Sequence, residues 1–402
     1  LLLLEKFKWK DTAQIMIDAI THPKQSQQSP LRIGWISSWK TKCGIATYSE
    51  HLIRYCKQTN IEIFSPFSQE IIANDESIRC WSAKKENNDF ATLKKVIDEK
   101  QCDLLVIQFN YGFFNFQELA TFIEEQHTKG RVIVMMMHST HDPFGSTANW
   151  QLSELQEILS KCHRILVHSL ADLNRLKNMG LSHNVTIFPH GILPFDTRTK
   201  QNAYDSSAPT IASYGFCLPH KGLQELVEAI HILHQEGLHV KLKMVNAEYP
   251  VVESALLIEE LKKSINNYGL EAYIELNNAF LEDEESLKEL SLAQLVVFPY
   301  QRTGESASGA VRYGLATGCP VAVTPLTIFE DLGESVFKLS GISPNAIAQS
   351  LKEILVLLST NDLKAKHILK EADRWREVHD YRHLAKRLEN ICYAITQKAK
   401  KI

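Results

Sequence analysis

Residues 33–45 read Ile33-Gly34-Trp35-Ile36-Ser37-Ser38-Trp39-Lys40-Thr41-Lys42-Cys43-Gly44-Ile45, and this stretch sets the reading of the whole chain. The apolar opening suits a buried strand. A polar loop carrying Lys40, Lys42 and Gly44 follows, and then Ile45, Tyr48, Leu52, Ile53 and Cys56 fall on one face of a helix. The alternation continues. Strand-like runs at 61–64, 104–108, 132–137, 165–167 and 185–188 are interleaved with helical patterns at 117–127, 150–161 and 169–179. Residues 196–208 hold almost nothing to bury and mark the best domain boundary. Beyond them strands are expected near 210–214, 239–245, 272–276, 295–299 and 320–323. Helices are expected near 222–236, 252–268, 283–292 and 306–317, with helical patterns at 344–358 and 362–399 closing the chain. Apolar strands alternating with amphipathic helices indicate parallel sheets covered on both faces. The expected fold is α/β, with two doubly wound Rossmann-like domains facing a cleft, the first at 31–196 and the second at 205–375.

Bulk properties agree. A single core rarely grows past roughly 250–300 residues, so 402 residues imply two domains. Hydrophobic residues at 44%, charged residues at 23% and a net charge of -3 are ordinary for a globular protein, and the scattered Lys and Arg give no basic face for nucleic acid. No apolar run approaches the roughly 18–20 residues that span a bilayer. Leu1–Leu4 is too short for a signal-peptide core. The eight cysteines are widely spaced with no Cys-x-x-Cys pair, so neither a zinc ribbon nor a thioredoxin-type site is indicated. The cytoplasm is the expected location, with room for peripheral contact at the inner membrane face.

Ligands of such sheets sit outside the carboxyl ends of the strands. Five places there carry chemistry. Gly44 stands where a helix begins, so backbone N–H groups can approach an anion; it could equally be a simple turn. His138 closes the run Val132–Met137 beside Ser139, His141 and Asp142, which points to the cleft mouth or to a satisfied core histidine. A metal at His138, His141 and Asp142 would need more partners than the sequence shows, and no metal is expected. Phe188-Pro189-His190-Gly191 is a turn before the linker or a ligand contact. In Tyr214-Gly215-Phe216-Cys217-Leu218-Pro219-His220-Lys221-Gly222 a lysine at a helix start opposes the dipole unless it serves an anion. In Phe298-Pro299-Tyr300-Gln301-Arg302-Thr303-Gly304-Glu305-Ser306-Ala307-Ser308-Gly309-Ala310, amides near Ser306, Ser308 and Gly309 could hold a diphosphate while Glu305 accepts from sugar hydroxyls. No Gly-x-Gly-x-x-Gly or P-loop supports a nicotinamide cofactor or ATP.

In this order, Gly44-Ile45, His138, Gly215 to Lys221-Gly222 and the block from Pro299 to Pro320 resemble the retaining glycosyltransferases of the two-Rossmann-domain (GT-B) class, family 4 in particular. The resemblance covers about residues 31–400 and implies a hexosyltransferase-type enzyme of polysaccharide biosynthesis. It implies a UDP- or GDP-linked sugar as co-substrate, a glycan or lipid-linked acceptor, retention of configuration, and neither cofactor nor metal. By that resemblance Lys221 neutralises the donor diphosphate and His138 lies by the donor sugar. Glu305 holds sugar hydroxyls as the first glutamate of a Glu-x7-Glu motif. Gly44, Gly215, Gly222, Ser306, Ser308, Gly309 and Tyr313 complete the donor site. Lys42, His141 and Tyr111 are expected on the acceptor side, where the aromatic loop at 109–116 could stack on sugars or pack internally. Two departures stand out. Tyr313 occupies the position of the second glutamate, which usually serves the ribose, and Phe216 occupies that of an arginine, for which Arg302 or Arg312 could substitute.

The closing helix at 376–402 is expected to cross back to the first domain. Residues 1–30 read as a helix and linker. Phe7-x-Trp9-x-x-Thr12-Ala13 resembles the closing helix of another transferase domain, so an upstream transferase domain in the same polypeptide is expected. Three other functions fit a fold of this shape. They are a degenerate GT-B-like binding or regulatory protein, a sugar-nucleotide epimerase, and a nicotinamide-dependent oxidoreductase, the last disfavoured by the missing glycine fingerprint.

Overall fold

The computed structural model describes residues 30–68, 74–83, 90–143, 150–196, 208–301 and 307–400. Its first sheet has seven parallel strands in the order β3-β2-β1-β4-β5-β6-β7. These are β1 (Leu31–Ile36), β2 (Thr59–Pro66), β3 (Ile78–Trp81), β4 (Leu104–Phe109), β5 (Val132–Met137), β6 (Arg164–Val167) and β7 (Val185–Ile187). Its helices are α1 (Gly44–Arg54), α2 (Ala91–Glu99), α3 (Phe116–Thr128), α4 (Gln156–Lys161) and α5 (Leu170–Asn178). The second sheet has six parallel strands in the order β10-β9-β8-β11-β12-β13. These are β8 (Thr210–Phe216), β9 (Lys241–Ala247), β10 (Ile274–Asn277), β11 (Leu295–Phe298), β12 (Val321–Val323) and β13 (Phe337–Lys338). Helices α6 (Leu223–Gln235), α7 (Val252–Asn267), α8 (Asp283–Ser291) and α9 (Gly309–Ala316) join them, and α10 (Pro344–Ser359), α11 (Leu363–His379) and α12 (Tyr381–Ala399) end the chain.

Every residue of β4 and β5 is buried, as central strands covered on both faces must be. In each sheet the winding reverses beside the first strand, between β1 and β4 and between β8 and β11. Those switch points are where doubly wound sheets bind ligands. The loops after β1, β8 and β11 are the ones that carry Gly44, Lys221 and the 299–310 block.

The helical pattern at 362–399 is in fact two helices. Asp380 leaves helical geometry (φ -59°, ψ 130°), and its carboxylate accepts from the Arg382 N–H at 2.7 Å, capping α12. The break frees backbone groups for the first domain: Ile192 N–H donates to His379 O at 2.8 Å and Tyr381 N–H to Ile192 O at 3.1 Å. Helix α12 then lies along that domain. Glu389 accepts from the Gln58 N–H at 2.6 Å, and the Tyr393 hydroxyl donates to Gln58 O at 2.6 Å. One buried apolar cluster runs from Val134 and Met136 of the first sheet through Leu384 and Leu388 of α12 to Val296 and Phe298 of the second. Among the described residues no helix is long and apolar enough to cross a membrane, and the cysteines are free thiols.

Candidate functional site

A cavity of ≈ 500 Å³ lies between the two sheets' carboxyl edges. Two helix N-termini face it from opposite domains. On one side the first turn of α1, from Cys43 to Thr47, lines the wall, and Cys43 gives no side-chain cap to its amides. A Cβ at Gly44 would meet only open space. On the other side Gly309 and Ala310 open α9 onto the cavity. Exposed amides and the positive ends of two helix dipoles make this a favourable place for an anion. Ser308 sits just behind, buried, with its hydroxyl accepting from the Val311 N–H at 3.3 Å and bonding the Tyr300 hydroxyl at 2.9 Å. It holds the helix end rather than lining the cavity. Ser308→Ala should lower the unfolding free energy by about 0.5–2 kcal/mol, read by chemical denaturation; no loss would mean that the cap contributes nothing.

Lys221 ends a 3-10 turn after β8 and lines the cavity while only 8% exposed. Its ammonium lies 4.2 Å from the centre of the Tyr300 ring, a cation–π contact. Gly222 places it there. The backbone at Gly222 is left-handed (φ +69°), and a Cβ would fall 1.9 Å from Pro299 O. Loops from β8 and β11 therefore touch at a point where only glycine fits. Gly222 supports the site without lining it, whereas Gly215 and Phe216 do line it. The Phe216 ring packs edge-on to Tyr249 at 4.9 Å and parallel to Phe280 at 6.0 Å, forming an aromatic wall.

The Arg312 guanidinium also reaches the cavity wall, but it donates to Ser308 O at 2.8 Å and pairs with Asp331. Its charge is thus paired inside the protein with Asp331. Tyr313 lines the cavity, and its hydroxyl donates to Asp283 Oδ1 at 2.6 Å. The other oxygen of that carboxylate accepts from His51 Nε2 of α1 at 2.8 Å, with Arg54 at 3.7 Å. Asp283 thus ties the two domains together. Burial pushes against its ionisation, but hydrogen bonds from His51 and Tyr313 and the Arg54 charge outweigh it and hold the carboxyl below its usual range.

At the inner end of the cavity His138 and His190 meet Tyr48 of α1, which in turn packs against Tyr381 of α12. His168 lies directly behind them, 1% exposed. Burial keeps all three imidazoles neutral: it pushes His168 down to about 4 and holds His138 and His190 well below the usual range, with neighbouring imidazoles adding to the effect. Gly191 makes room for Tyr381, since a Cβ there would lie 2.5 Å from that ring.

Of the residues expected from the sequence, the cavity gathers Gly44, His138, Gly215, Lys221, Gly309 and Tyr313. Arg302, Glu305 and Ser306 lie outside the described residues. Lys42, Tyr111 and His141 do not line the cavity. The Tyr111 hydroxyl donates to Asp142 at 2.9 Å and its ring packs with Phe109 and Phe116, while His141 Nε2 accepts from Arg175 at 2.6 Å. Their neighbours Thr41, Asn110 and Phe113 line the wall instead. His51, His168, Asp283 and Tyr381 carry no sequence expectation. Only His168 had a signal, as the residue directly after a buried strand.

No family model and no curated protein matches the chain. Solved structures do. A glycosyltransferase from Rickettsia africae superposes with a TM-score of 0.71 at 14% identity, over 92% of this chain and 99% of that one. A sucrose-phosphate synthase from Thermosynechococcus elongatus gives 0.68 at 14%, over 92% and 100%. HepE from Anabaena, solved with UDP, gives 0.66 at 14%, over 90% and 100%. The chain therefore has the two-domain fold of the GT-B glycosyltransferases.

Proposed function

We propose that this chain transfers a sugar from a nucleoside diphosphate donor to a glycan or lipid-linked acceptor, with retention of configuration. The observation that carries the reading is Lys221, a lysine held at 8% exposure in a cleft onto which helices of opposite domains open their N-termini. A buried cation beside the N-termini of two helices suits a diphosphate. The similar structures agree in chemistry: HepE was solved with UDP and with UDP and glucose, and a trehalose-phosphate synthase from Burkholderia xenovorans with glucose 6-phosphate.

In this reading the diphosphate lies between Lys221 and the amides of α9, with the first turn of α1 approaching from the other side. Charge growing on the leaving phosphate is stabilised by these fixed groups, which need no reorganisation as the bond breaks. The acceptor hydroxyl attacks from the face that the phosphate leaves, and the phosphate oxygen takes its proton. His138, with His190 beside it, shapes the sugar end, and Glu305 holds sugar hydroxyls. The hydroxyl of Tyr313, backed by Asp283, stands in for the missing second glutamate.

The test is release of nucleoside diphosphate from UDP- and GDP-sugars by the purified chain, with and without glycan acceptors. Acceptor-dependent release with an α-linked product from an α-linked donor is expected. Binding without turnover across donors and acceptors would overturn it in favour of a degenerate binding protein, the reading that Phe216 and the engaged Arg312 favour. Conversion of the donor without acceptor would mark an epimerase.

A further inference from the structure

Strands β5, β6 and β7 lie side by side, and each delivers a histidine just past its carboxyl end: His138, His168 and His190. One ring nitrogen of each lies within 4.8 Å of the other two. The far sides of two rings fix which nitrogens converge. A carbonyl oxygen only accepts, so His168 Nδ1–H donates to Phe188 O at 2.9 Å and leaves its Nε2 lone pair facing inward. His138 Nε2 meets Gln108 Oε1 at 2.7 Å, so it carries the hydrogen, and its Nδ1 lone pair also faces inward.

The two lone pairs confront one another at 3.3 Å. Two acceptors at that distance repel unless an electron-poor centre lies beside them. The same distance is the nitrogen–nitrogen edge of a tetrahedral site, about 3.3–3.4 Å for metal–nitrogen bonds of about 2.0–2.1 Å. Metal-bound histidines also characteristically donate their other N–H to a carbonyl or carboxylate, which is the arrangement at Gln108 and at Phe188. His190 supplies a third nitrogen, its ring centre 4.2 Å from that of His168, and it lines the cavity.

We propose that His138, His168 and His190 form a binding site for a divalent transition metal of the zinc class, with the fourth position open to the cleft. Three imidazoles suit zinc, cobalt, nickel or copper rather than magnesium or calcium. The open position faces the cavity, where water or a hydroxyl oxygen of a bound ligand would complete the tetrahedron. The site stands on ring geometry alone and does not depend on the transferase reading.

The competing arrangement is a hydrogen-bond relay. A Gln108 amide turned over would donate to His138 Nε2, and His138 Nδ1–H would donate to His168 Nε2. The Gln108 Nε2, which has no partner as it stands, makes that alternative concrete.

The test uses the full chain stripped with a chelator and titrated with Co²⁺, then with Zn²⁺. One Co²⁺ per chain with the visible absorption of a tetrahedral, nitrogen-ligated ion is expected, displaced by Zn²⁺. His190→Ala, on the cavity wall, should weaken binding by roughly tenfold or more, a loss typical even of groups that merely support a ligand. His234 and His239 form an exposed pair with their Nδ1 atoms 3.4 Å apart, so His239→Ala is the control and should change nothing. Should His190→Ala misfold, the wild-type Co²⁺ spectrum decides by itself. No tetrahedral absorption at excess Co²⁺, or binding unchanged in a folded His190→Ala, would overturn the site and assign the trio to the relay.

Discussion

Lys221→Met should weaken nucleoside diphosphate binding by about 10- to 150-fold, the equivalent of about 1.5–3 kcal/mol for a hydrogen bond to a charged group. Methionine keeps an unbranched side chain of similar length, so the change removes the charge that lies over Tyr300 with little change of volume. Lysine is costly to bury, and this one is 8% exposed, so it spends its charge in the cleft rather than in bulk water. Being screened little by solvent, its contribution should survive moderate salt, unlike that of a surface lysine. The ratio of dissociation constants for wild type and variant, measured at two ionic strengths, checks both points. A ratio near one would mean that no anion is held by this residue.

Asp283→Ala should lower the unfolding free energy by about 2–4 kcal/mol, because it leaves a buried imidazole and a half-buried hydroxyl without their partner. His51 Nε2 loses an acceptor at 2.8 Å and the Tyr313 hydroxyl one at 2.6 Å, and His51 is only 4% exposed. Helix α1 and helix α8 belong to different domains, so the same change should loosen the cleft and weaken ligand binding as well. Asp283→Asn keeps a carbonyl oxygen for His51 and turns an NH2 toward the Tyr313 hydroxyl, which can also accept, so it should cost less. The pH dependence has a definite sign. The folded carboxyl sits below its ordinary value of 3.8, so its contribution is complete above that value and is lost as pH falls through the lower folded one. Denaturation curves of wild type and Asp283→Ala should therefore differ at neutral pH and converge in acid. Equal stability at neutral pH would show that water replaces the carboxylate without cost.

Much of this was legible in the sequence because its signals are local. The strongly apolar runs of β4 and β5 read as central parallel strands, and the rule that ligands gather beyond strand ends picks out Gly44, His138, Gly215 and Lys221, all on the cavity wall. The rest depends on contacts between distant segments. Strands β3 and β13, with 4 and 2 residues, are too short to show a period. Asp283 reads as one more acidic residue in the first turn of a helix, where Glu284 and Glu285 are also found. Only its bonds to His51 and Tyr313 and the nearby Arg54 single it out. Tyr381 falls within a helical pattern that looks continuous, and the break at Asp380 follows from pairing with Ile192. Tyr111 is the converse case. Its aromatic loop could stack on sugars or pack internally, and contacts decide for this residue: the hydroxyl of Tyr111 is taken by Asp142 and its ring by Phe109 and Phe116.

The most direct test of the central claim is calorimetric titration of the purified chain with UDP, GDP and ADP in turn, without added metal. Saturable binding of one of them, at one site per chain and weakened by Lys221→Met, is the predicted result and would name the base of the donor. Failure of all three to bind would contradict a nucleotide-sugar site in the cleft and leave a GT-B fold that serves as a binding partner.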